Sequence, residues 1–148
     1  MQQQELQTQN GSPFSLSVQH NIAVVTIHTA NRSFNLLRSD FIDRLREVLG
    51  AVLYQKLQGL IFISAQQNNF IRGFDLAELE DKSPTQLEKF ADEAQAVMRE
   101  IENLNVLTVA AIHGDCFGMG LELALACKIR IATADSHTLF AMPQVRSG

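Results

Sequence analysis

The chain has 148 residues, 46% of them apolar, and a formal net charge of −4. This is enough for one domain with a hydrophobic core, whereas the acidic charge argues against nucleic acid or an anionic membrane as a partner. No run of eighteen apolar residues and no signal-peptide core occurs, so we expect neither a transmembrane helix nor secretion. The two cysteines and four histidines show no metal-ligand spacing. The sequence therefore predicts a cytoplasmic domain without a metal site.

The first half of the chain predicts a hairpin, a helix and a buried strand. Residues 1–13 are rich in glutamine and end in Gly-Ser-Pro, so we expect a disordered lead-in. Residues 14–19 alternate apolar and polar, and residues 22–27 are rich in β-branched side chains, which together favour a hairpin that turns at Asn21. Apolar residues at helical spacing then predict a helix that starts near Phe41 and ends near Gly59, before a strand.

The second half continues this alternation of strands and helices. Ser83, Pro84 and Gln86 predict a helix start with a capping box, and an apolar face follows from Leu87 to Ile101. A buried strand over residues 107–112, a glycine turn, a short apolar helix through residue 127, and strands near residues 129–133 and 138–145 complete the pattern. Such alternation is typical of the α/β class, here as one domain over residues 14–148.

The glycine turn within residues 111–127 is a candidate functional site. A helix that follows such a turn begins with unpaired N–H groups and a positive dipole end, which suit a developing negative charge. Gly118 and Gly120 would let the backbone approach a ligand, and Glu122 falls in the first helical turn. Spacing alone also fits a simpler interpretation, in which the glycines only make a tight turn and Glu122 only interacts with the helix end. Spacing therefore leaves the function open.

Two stretches of the chain resemble a known superfamily. The run from Ile112 to Cys127, IHGDCFGMGLELALAC, resembles the signature of the crotonases, the enoyl-CoA hydratases and isomerases. The run from Phe70 to Leu76, FIRGFDL, is similar to their F-x-A-G-A-D-[LI] stretch. Within the superfamily the similarity is greatest to the hydratase/isomerase portion of bacterial fatty-acid oxidation complexes. The resemblance implies a crotonase-like spiral of ββα units, of which this chain is the N-terminal portion, truncated before the active-site loop and covering helices of family members.

The resemblance also implies an oxyanion hole made of two main-chain amides. These belong to Phe74, which follows Gly73, and to Met119, which follows Gly118. Main-chain donors survive a change of side chain, but side-chain bulk can close the space that they serve. Because family members usually have alanine at the first position and glycine at the second, we expect a narrowed or reshaped acyl pocket.

Two glutamates flank a water molecule in the hydratases of this superfamily, and only one has a counterpart here. Glu122 matches the first, whereas Gln144 stands at the second. A glutamine can orient a water by hydrogen bonding but cannot take up a proton at neutral pH. We therefore expect poor hydration, and less damage to a reaction that needs one carboxylate, such as moving a double bond. Asp75 is interpreted as the N-cap of a short helix over residues 76–80 rather than as a ligand contact, and His113 as a structural hydrogen-bonding group.

The implied function is that of an enoyl-CoA hydratase/isomerase of fatty-acid β-oxidation, a lyase or isomerase acting on acyl-CoA thioesters. No cofactor is implied, since coenzyme A is part of the substrate. The implied assembly is a homo-oligomer built on trimers, or a subunit of a larger β-oxidation complex. The alternative is a non-catalytic acyl-CoA-binding or assembly subunit that keeps the fold without the chemistry.

Overall fold

The fold is seen in a computed structural model that describes residues 4–6 and 11–147. In these ranges it has nine strands, four α-helices and one 3₁₀ turn at Leu76–Leu79. The elements, in chain order, are β1 (Gln4–Leu6), β2 (Phe14–Gln19), β3 (Ile22–Ile27), α1 (Phe41–Leu53), β4 (Gly59–Ser64), β5 (Asn69–Ile71), α2 (Pro84–Glu102), β6 (Leu107–Ile112), β7 (Asp115–Phe117), α3 (Met119–Ala126), β8 (Ile129–Ala132), β9 (Phe140–Ala141) and α4 (Gln144–Ser147).

The strands form two separate sheets, and from β4 onward successive strands along the chain are added to them alternately. The larger sheet has the order β1-β2-β3-β4-β6-β8, antiparallel for its first two pairings and parallel for the rest. The smaller sheet, β5-β7-β9, is parallel throughout. After the β2–β3 hairpin, each further pair of strands adds one strand to each sheet and leads into a helix. The predicted spiral of ββα units is thereby confirmed.

The core is one continuous hydrophobic cluster to which strands of the large sheet and helices α1 to α3 contribute. Val25, Phe62 and Ala110 are fully buried and adjacent in register across β3, β4 and β6. Helix α1 buries the predicted apolar face, including Phe41 and Leu45. Burial of each such side chain stabilises the fold by about 1.5–3 kcal/mol. The large sheet and α1 therefore form the rigid base on which the smaller sheet is held.

Helix α2 begins as predicted, but only its second half is buried. The Ser83 hydroxyl accepts a hydrogen bond from the Gln86 amide at 3.3 Å, and the Ser83 amide donates to the Gln86 side chain at 2.9 Å, which completes the capping box. Val97 and Ile101 are fully buried, whereas Leu87 is exposed. The predicted apolar face is therefore fully buried only in its second half, whereas in its first half Phe90 is half-buried against the core and Leu87 is exposed.

Two predicted boundaries are wrong. Helix α1 ends at Leu53 rather than near Gly59, because its buried face stops at Val52 and Gly59 already pairs in β4. The strand predicted over residues 138–145 shrinks to Phe140–Ala141. Pro143 lacks the N–H group that a strand needs and directly precedes a helical turn, which becomes α4.

The lead-in also departs from the prediction. Gln4–Leu6 is a strand, β1, that pairs with β2 in register from Val18 to Leu16. Disorder is therefore the wrong description of this part, because the free edge of β2 offers it backbone hydrogen-bonding partners. Residues 1–3 and 7–10 lie outside the described residues.

Helix α3 approaches β5 so closely that only glycine fits at the contact. A methyl group on Gly120 would lie 2.5 Å from the Cβ of Ile71 and 2.7 Å from its carbonyl oxygen. Both residues are buried, Ile71 at 0% exposure. This contact fixes the start of α3 against the smaller sheet.

We predict that Gly120→Ala lowers the free energy of unfolding by about 1–3 kcal/mol, because the added methyl overpacks a rigid contact. Gly50→Ala is the matched control: Gly50 also lies within a helix, but a methyl there has no neighbour within 4 Å. That variant should gain about 0.5–1 kcal/mol, since alanine is the better helix former. Denaturant unfolding of both variants checks the difference, and equal stability of Gly120→Ala and the unaltered protein would contradict it.

Candidate active site

The smaller sheet brings the predicted site residues to one edge. Because β5, β7 and β9 are parallel, their carboxyl ends meet at the same edge, and the segments that follow them carry Phe74, Met119 and Gln144. A cavity of about 410 Å³ lies at this edge. All six residues singled out from the sequence line it, namely Gly73, Phe74, Gly118, Met119, Glu122 and Gln144. The structure thus collects three separated segments around one space.

The backbone on both sides of Phe74 is hydrogen-bonded, whereas the Phe74 amide has no partner in the described ranges. The Leu37 amide donates to the Gly73 carbonyl and the Asp75 amide donates to the Leu37 carbonyl, each at 2.8 Å. In this parallel bridge the Phe74 N–H points away from Leu37. Among the described residues it donates no hydrogen bond. Since nearly all buried N–H groups are paired, an unpaired amide on a cavity wall is a candidate ligand donor.

The amide of Met119 also donates no hydrogen bond within the described residues, here because it lies at the start of a helix. Gly118 adopts φ of 51°, which glycine tolerates best, and donates its own N–H to the Ala141 carbonyl at 2.8 Å. Helix α3 then starts at Met119, and its first bond to the turn is the Glu122 amide to the Gly118 carbonyl at 3.0 Å. The Met119 amide is therefore one of the free N–H groups of the helix start, where the dipole favours negative charge.

Glu122 and Gln144 face each other in the cavity. The Gln144 Nε2 donates to Glu122 Oε1 at 3.2 Å and lies 3.3 Å from the Met142 sulfur. A carboxylate accepts and does not donate, so the nitrogen of the glutamine amide is the atom that faces it. Glu122 is half-buried and Gln144 exposed. The sequence-based pairing of these positions is thus matched by direct contact between them.

Aromatic side chains close the other side of the cavity. The Phe74 and Phe90 rings both line it, with their centroids 4.8 Å apart. The buried Phe41 ring stands edge-on to both, at 6.4 and 6.2 Å. Leu76 and Leu79 of the 3₁₀ turn add further apolar surface. The cavity therefore has a polar end at Glu122 and an apolar aromatic wall.

Comparison with known proteins identifies the family. Residues 17–148 match the enoyl-CoA hydratase/isomerase family. The chain belongs to this family. The crotonase resemblance read from the sequence is thereby confirmed, whereas the finer similarity to bacterial fatty-acid oxidation complexes stays a prediction.

Solved structures of similar fold agree with the α/β spiral. An enoyl-CoA hydratase from Geobacillus kaustophilus HTA426 superposes with a TM-score of 0.89 at 21% identity, over 99% of this chain and 54% of that one. DspI from Pseudomonas aeruginosa gives 0.84 at 23% identity, over 96% and 57%. An enoyl-CoA hydratase/carnithine racemase from Magnetospirillum magneticum gives 0.84 at 22% identity, over 97% and 52%. The chain spans about half the length of the solved structures that it matches.

Sequence reasoning missed part of the cavity wall of this hydratase/isomerase family member. Phe90, Leu76 and Leu79 line the cavity but were not predicted as site residues. Phe90 carried the helical spacing of a core residue, and only the exposure of the first half of α2 distinguishes it. No signal in the sequence marks the two leucines, because the 3₁₀ turn that presents them has no periodic pattern long enough to interpret.

Arg72, which stands where the family has a small residue, lies at the rim of the cavity. Its Nε donates to an Asp115 carboxylate oxygen at 2.8 Å, and its guanidinium lies 4.9 Å from the centre of the Phe34 ring. Both contacts hold the charge at the exposed edge. Arg72 therefore contributes an exposed, paired charge to the cavity lining.

Other predicted residues are placed in structural roles. Asp75 occupies the N-cap position of the 3₁₀ turn but makes no capping hydrogen bond; it pairs with Arg32 at 3.4 Å instead. The His113 ring contacts the Gln66 carbonyl at 2.6 Å, as expected of a structural group. Burial raises the pKa of the Cys116 and Cys127 thiols to about 12 each, so neither is a nucleophile at neutral pH.

Neither membrane spans nor metal clusters are found within the described ranges. No helix there has the length and apolarity needed to cross a bilayer. Groups of three or more metal-ligating side chains are likewise not found in that part of the chain.

The 3₁₀ turn under the aromatic wall is anchored by one carboxylate. Hydrogen bonds from the Ser39 hydroxyl and amide, together with Arg38, lower the pKa of Glu78 to about 2. The Ser39 amide donates to Glu78 at 2.7 Å. The loop before α1 is thus tied to the turn that carries Leu76 and Leu79.

We predict an acid-dependent contribution of Glu78 to stability. Its pKa is lowered on folding, so the contribution is present above the ordinary carboxyl pKa of 4.5 and is lost as the pH falls toward 2. Glu78→Gln should lower the melting temperature at neutral pH, and the gap to the unaltered protein should narrow below about pH 4.5 and close only near pH 2. Melting from about pH 7 to 2 tests this, with the exposed Glu80→Gln as control. A constant gap between the Glu78→Gln and unaltered curves at every pH would count against the assignment.

Proposed function

We propose that the chain binds an acyl-CoA thioester and stabilises the enolate formed from it. The observation that carries this proposal is the pair of amides at Phe74 and Met119, which have no hydrogen-bonding partner among the described residues and belong to residues that line one cavity with Glu122. Family membership supports the substrate class.

The two amides suit the charge that develops during the reaction. Loss of a proton from the carbon beside a thioester places negative charge on the carbonyl oxygen, and fixed N–H donors stabilise it without reorganising. Removing one such donor from an enzyme typically costs about 10²–10³-fold in rate. The Phe74 amide is fixed by the bridge to Leu37, and the Met119 amide adds the dipole of α3.

Glu122 is the acid/base group of the proposed reaction. The reaction that best fits a single carboxylate is the movement of a double bond. Its carboxylate takes a proton from the carbon next to the carbonyl of a 3-enoyl thioester, giving a dienolate. It then returns that proton two carbons further along, giving the conjugated 2-enoyl thioester. One group thus holds the proton throughout, and no water is consumed.

Hydration requires two proton-transfer groups, and among the described residues this site has only one carboxylate for that role. Adding water requires one group to remove a proton from the water and another to deliver a proton to carbon. Gln144 occupies the second position and cannot take up a proton at neutral pH. Loss of a general acid/base group costs about 10²–10⁴-fold, so we propose isomerisation over hydration.

A second candidate is a non-catalytic acyl-CoA-binding subunit. The specific observation that favours it is the hydrogen bond from Gln144 Nε2 to Glu122 Oε1 at 3.2 Å. This bond occupies an oxygen of the carboxylate that is proposed to act as the base. In either case we propose a cytoplasmic role in fatty-acid β-oxidation, as a homo-oligomer built on trimers or within a larger complex. Bound acyl-CoA without turnover would select the second candidate.

We predict that Gln144→Glu raises hydration of a short 2-enoyl-CoA by at least about tenfold, since it restores the second proton-transfer group. Glu122→Gln should abolish double-bond isomerisation while acyl-CoA binding persists, because the amide donors are unchanged. Absorbance of the conjugated thioester follows both reactions.

The matched control is Gln95→Glu, which makes the same change at an exposed position of α2. It should leave both rates unaltered. Isomerisation that survives in Glu122→Gln would remove Glu122 from the proposed mechanism. Failure of the protein to bind any acyl-CoA would remove the proposed function itself.

A further inference from the structure

The Phe74 residue presents two different groups to the cavity. Its main-chain amide is one of the proposed oxyanion donors, and its side chain forms part of the aromatic wall. A ligand carbonyl held at the amide therefore starts within one residue of the ring. How the acyl chain continues from that carbonyl depends on whether the ring can move.

Phe74 is held in place through its backbone and through its ring. The backbone on either side is bonded to Leu37, through the Gly73 carbonyl and the Asp75 amide, each at 2.8 Å. The ring itself contacts Phe90 at 4.8 Å and Phe41 at 6.4 Å between centroids. Phe41 is fully buried in α1, so it cannot yield without disturbing the core. The wall is therefore a fixed part of the fold and not an adjustable flap.

The fixed ring lies directly beside the proposed carbonyl site. It lines a cavity of about 410 Å³ that is partly open to solvent, and Met119 and Leu79 add further apolar surface to the lining. An acyl chain fits this surface chemically, and a chain that extends from the carbonyl toward the ring meets a wall that does not move.

We propose that the Phe74 ring, backed by Phe41 and Phe90, is the end wall of the acyl site and restricts it to short-chain acyl-CoA thioesters. This inference rests on the proposed function and specifies its substrate class. Phe74 is then a specificity-determining residue through its side chain, independently of its amide. Removing the ring opens the cavity toward Phe41 and Phe90 without removing the proposed donor.

Binding of saturated acyl-CoAs, which do not react, tests the proposal. Titration calorimetry with butanoyl-CoA and octanoyl-CoA should show butanoyl-CoA bound at least about tenfold more tightly by the unaltered protein. Phe74→Ala should reduce that preference at least about tenfold, mainly through tighter octanoyl-CoA binding. Phe74→Leu, a milder change that serves if the alanine variant unfolds, should move the preference in the same direction. Phe14→Leu is the control, because Phe14 lies in β2 and does not line the cavity; it is fully buried whereas Phe74 is half-buried, so it also shows what loss of core packing alone does to binding.

The outcomes separate this inference from the function on which it rests. An unaltered protein that binds butanoyl-CoA and octanoyl-CoA equally overturns the end wall and leaves the proposed function standing. The same preference in both Phe74 variants as in the unaltered protein has the same meaning. Loss of both ligands from folded Phe74 variants also overturns it, since the ring would then be a binding contact and not a limit. If neither ligand binds the unaltered protein, the proposed function and the inference fail together.

Discussion

The start of α3 lies against β5 at the contact between Gly120 and Ile71, where a single methyl group has no room. Everything proposed for the cavity depends on this approach. It sets the separation between the two segments that carry the Phe74 and Met119 amides, and it places the first turn of α3, with Glu122, beside them. A larger residue at position 120 would push α3 away from β5. The Phe74 and Met119 amides would then be too far apart to donate to the same ligand oxygen. The geometry of the site therefore depends on how closely the α3 backbone packs against Ile71.

Because the proposed donors are main-chain amides, the shape of the cavity and the position of the donors do not depend on the same atoms. Side-chain donors would tie these two properties together. Substitution at residues 74 and 119 can alter the shape of the cavity while leaving an N–H group in the same position. The aromatic wall can therefore change without loss of the proposed carbonyl site. The proposed acid/base positions have no such protection, since a glutamine such as Gln144 cannot take up a proton as a carboxylate can.

The sequence was most informative where local chemistry decides the structure. The Ser83–Gln86 capping box, the buried face of α1 and the hairpin at Asn21 depend on neighbouring residues, and each was predicted. Strand β7 was not predicted, and β9 was predicted only as part of a longer strand, because two or three residues carry no readable period and pair only through long-range contacts. The site residues were found through their resemblance to a family. Their meeting at one edge follows from the parallel smaller sheet, and the aromatic wall follows from packing between α1 and α2, which no local pattern encodes.

Glu122 and Gln144 are held by attachments of very different extent. Gln144 follows β9, in which only Phe140–Ala141 pairs with β7, with the Gly118 amide bonded to the Ala141 carbonyl. Glu122 lies in α3, which Gly120 packs closely against Ile71. Short, exposed ladders open far more often than a packed core does. A local opening of β9 would therefore separate the amide from the carboxylate without displacing the carboxylate itself.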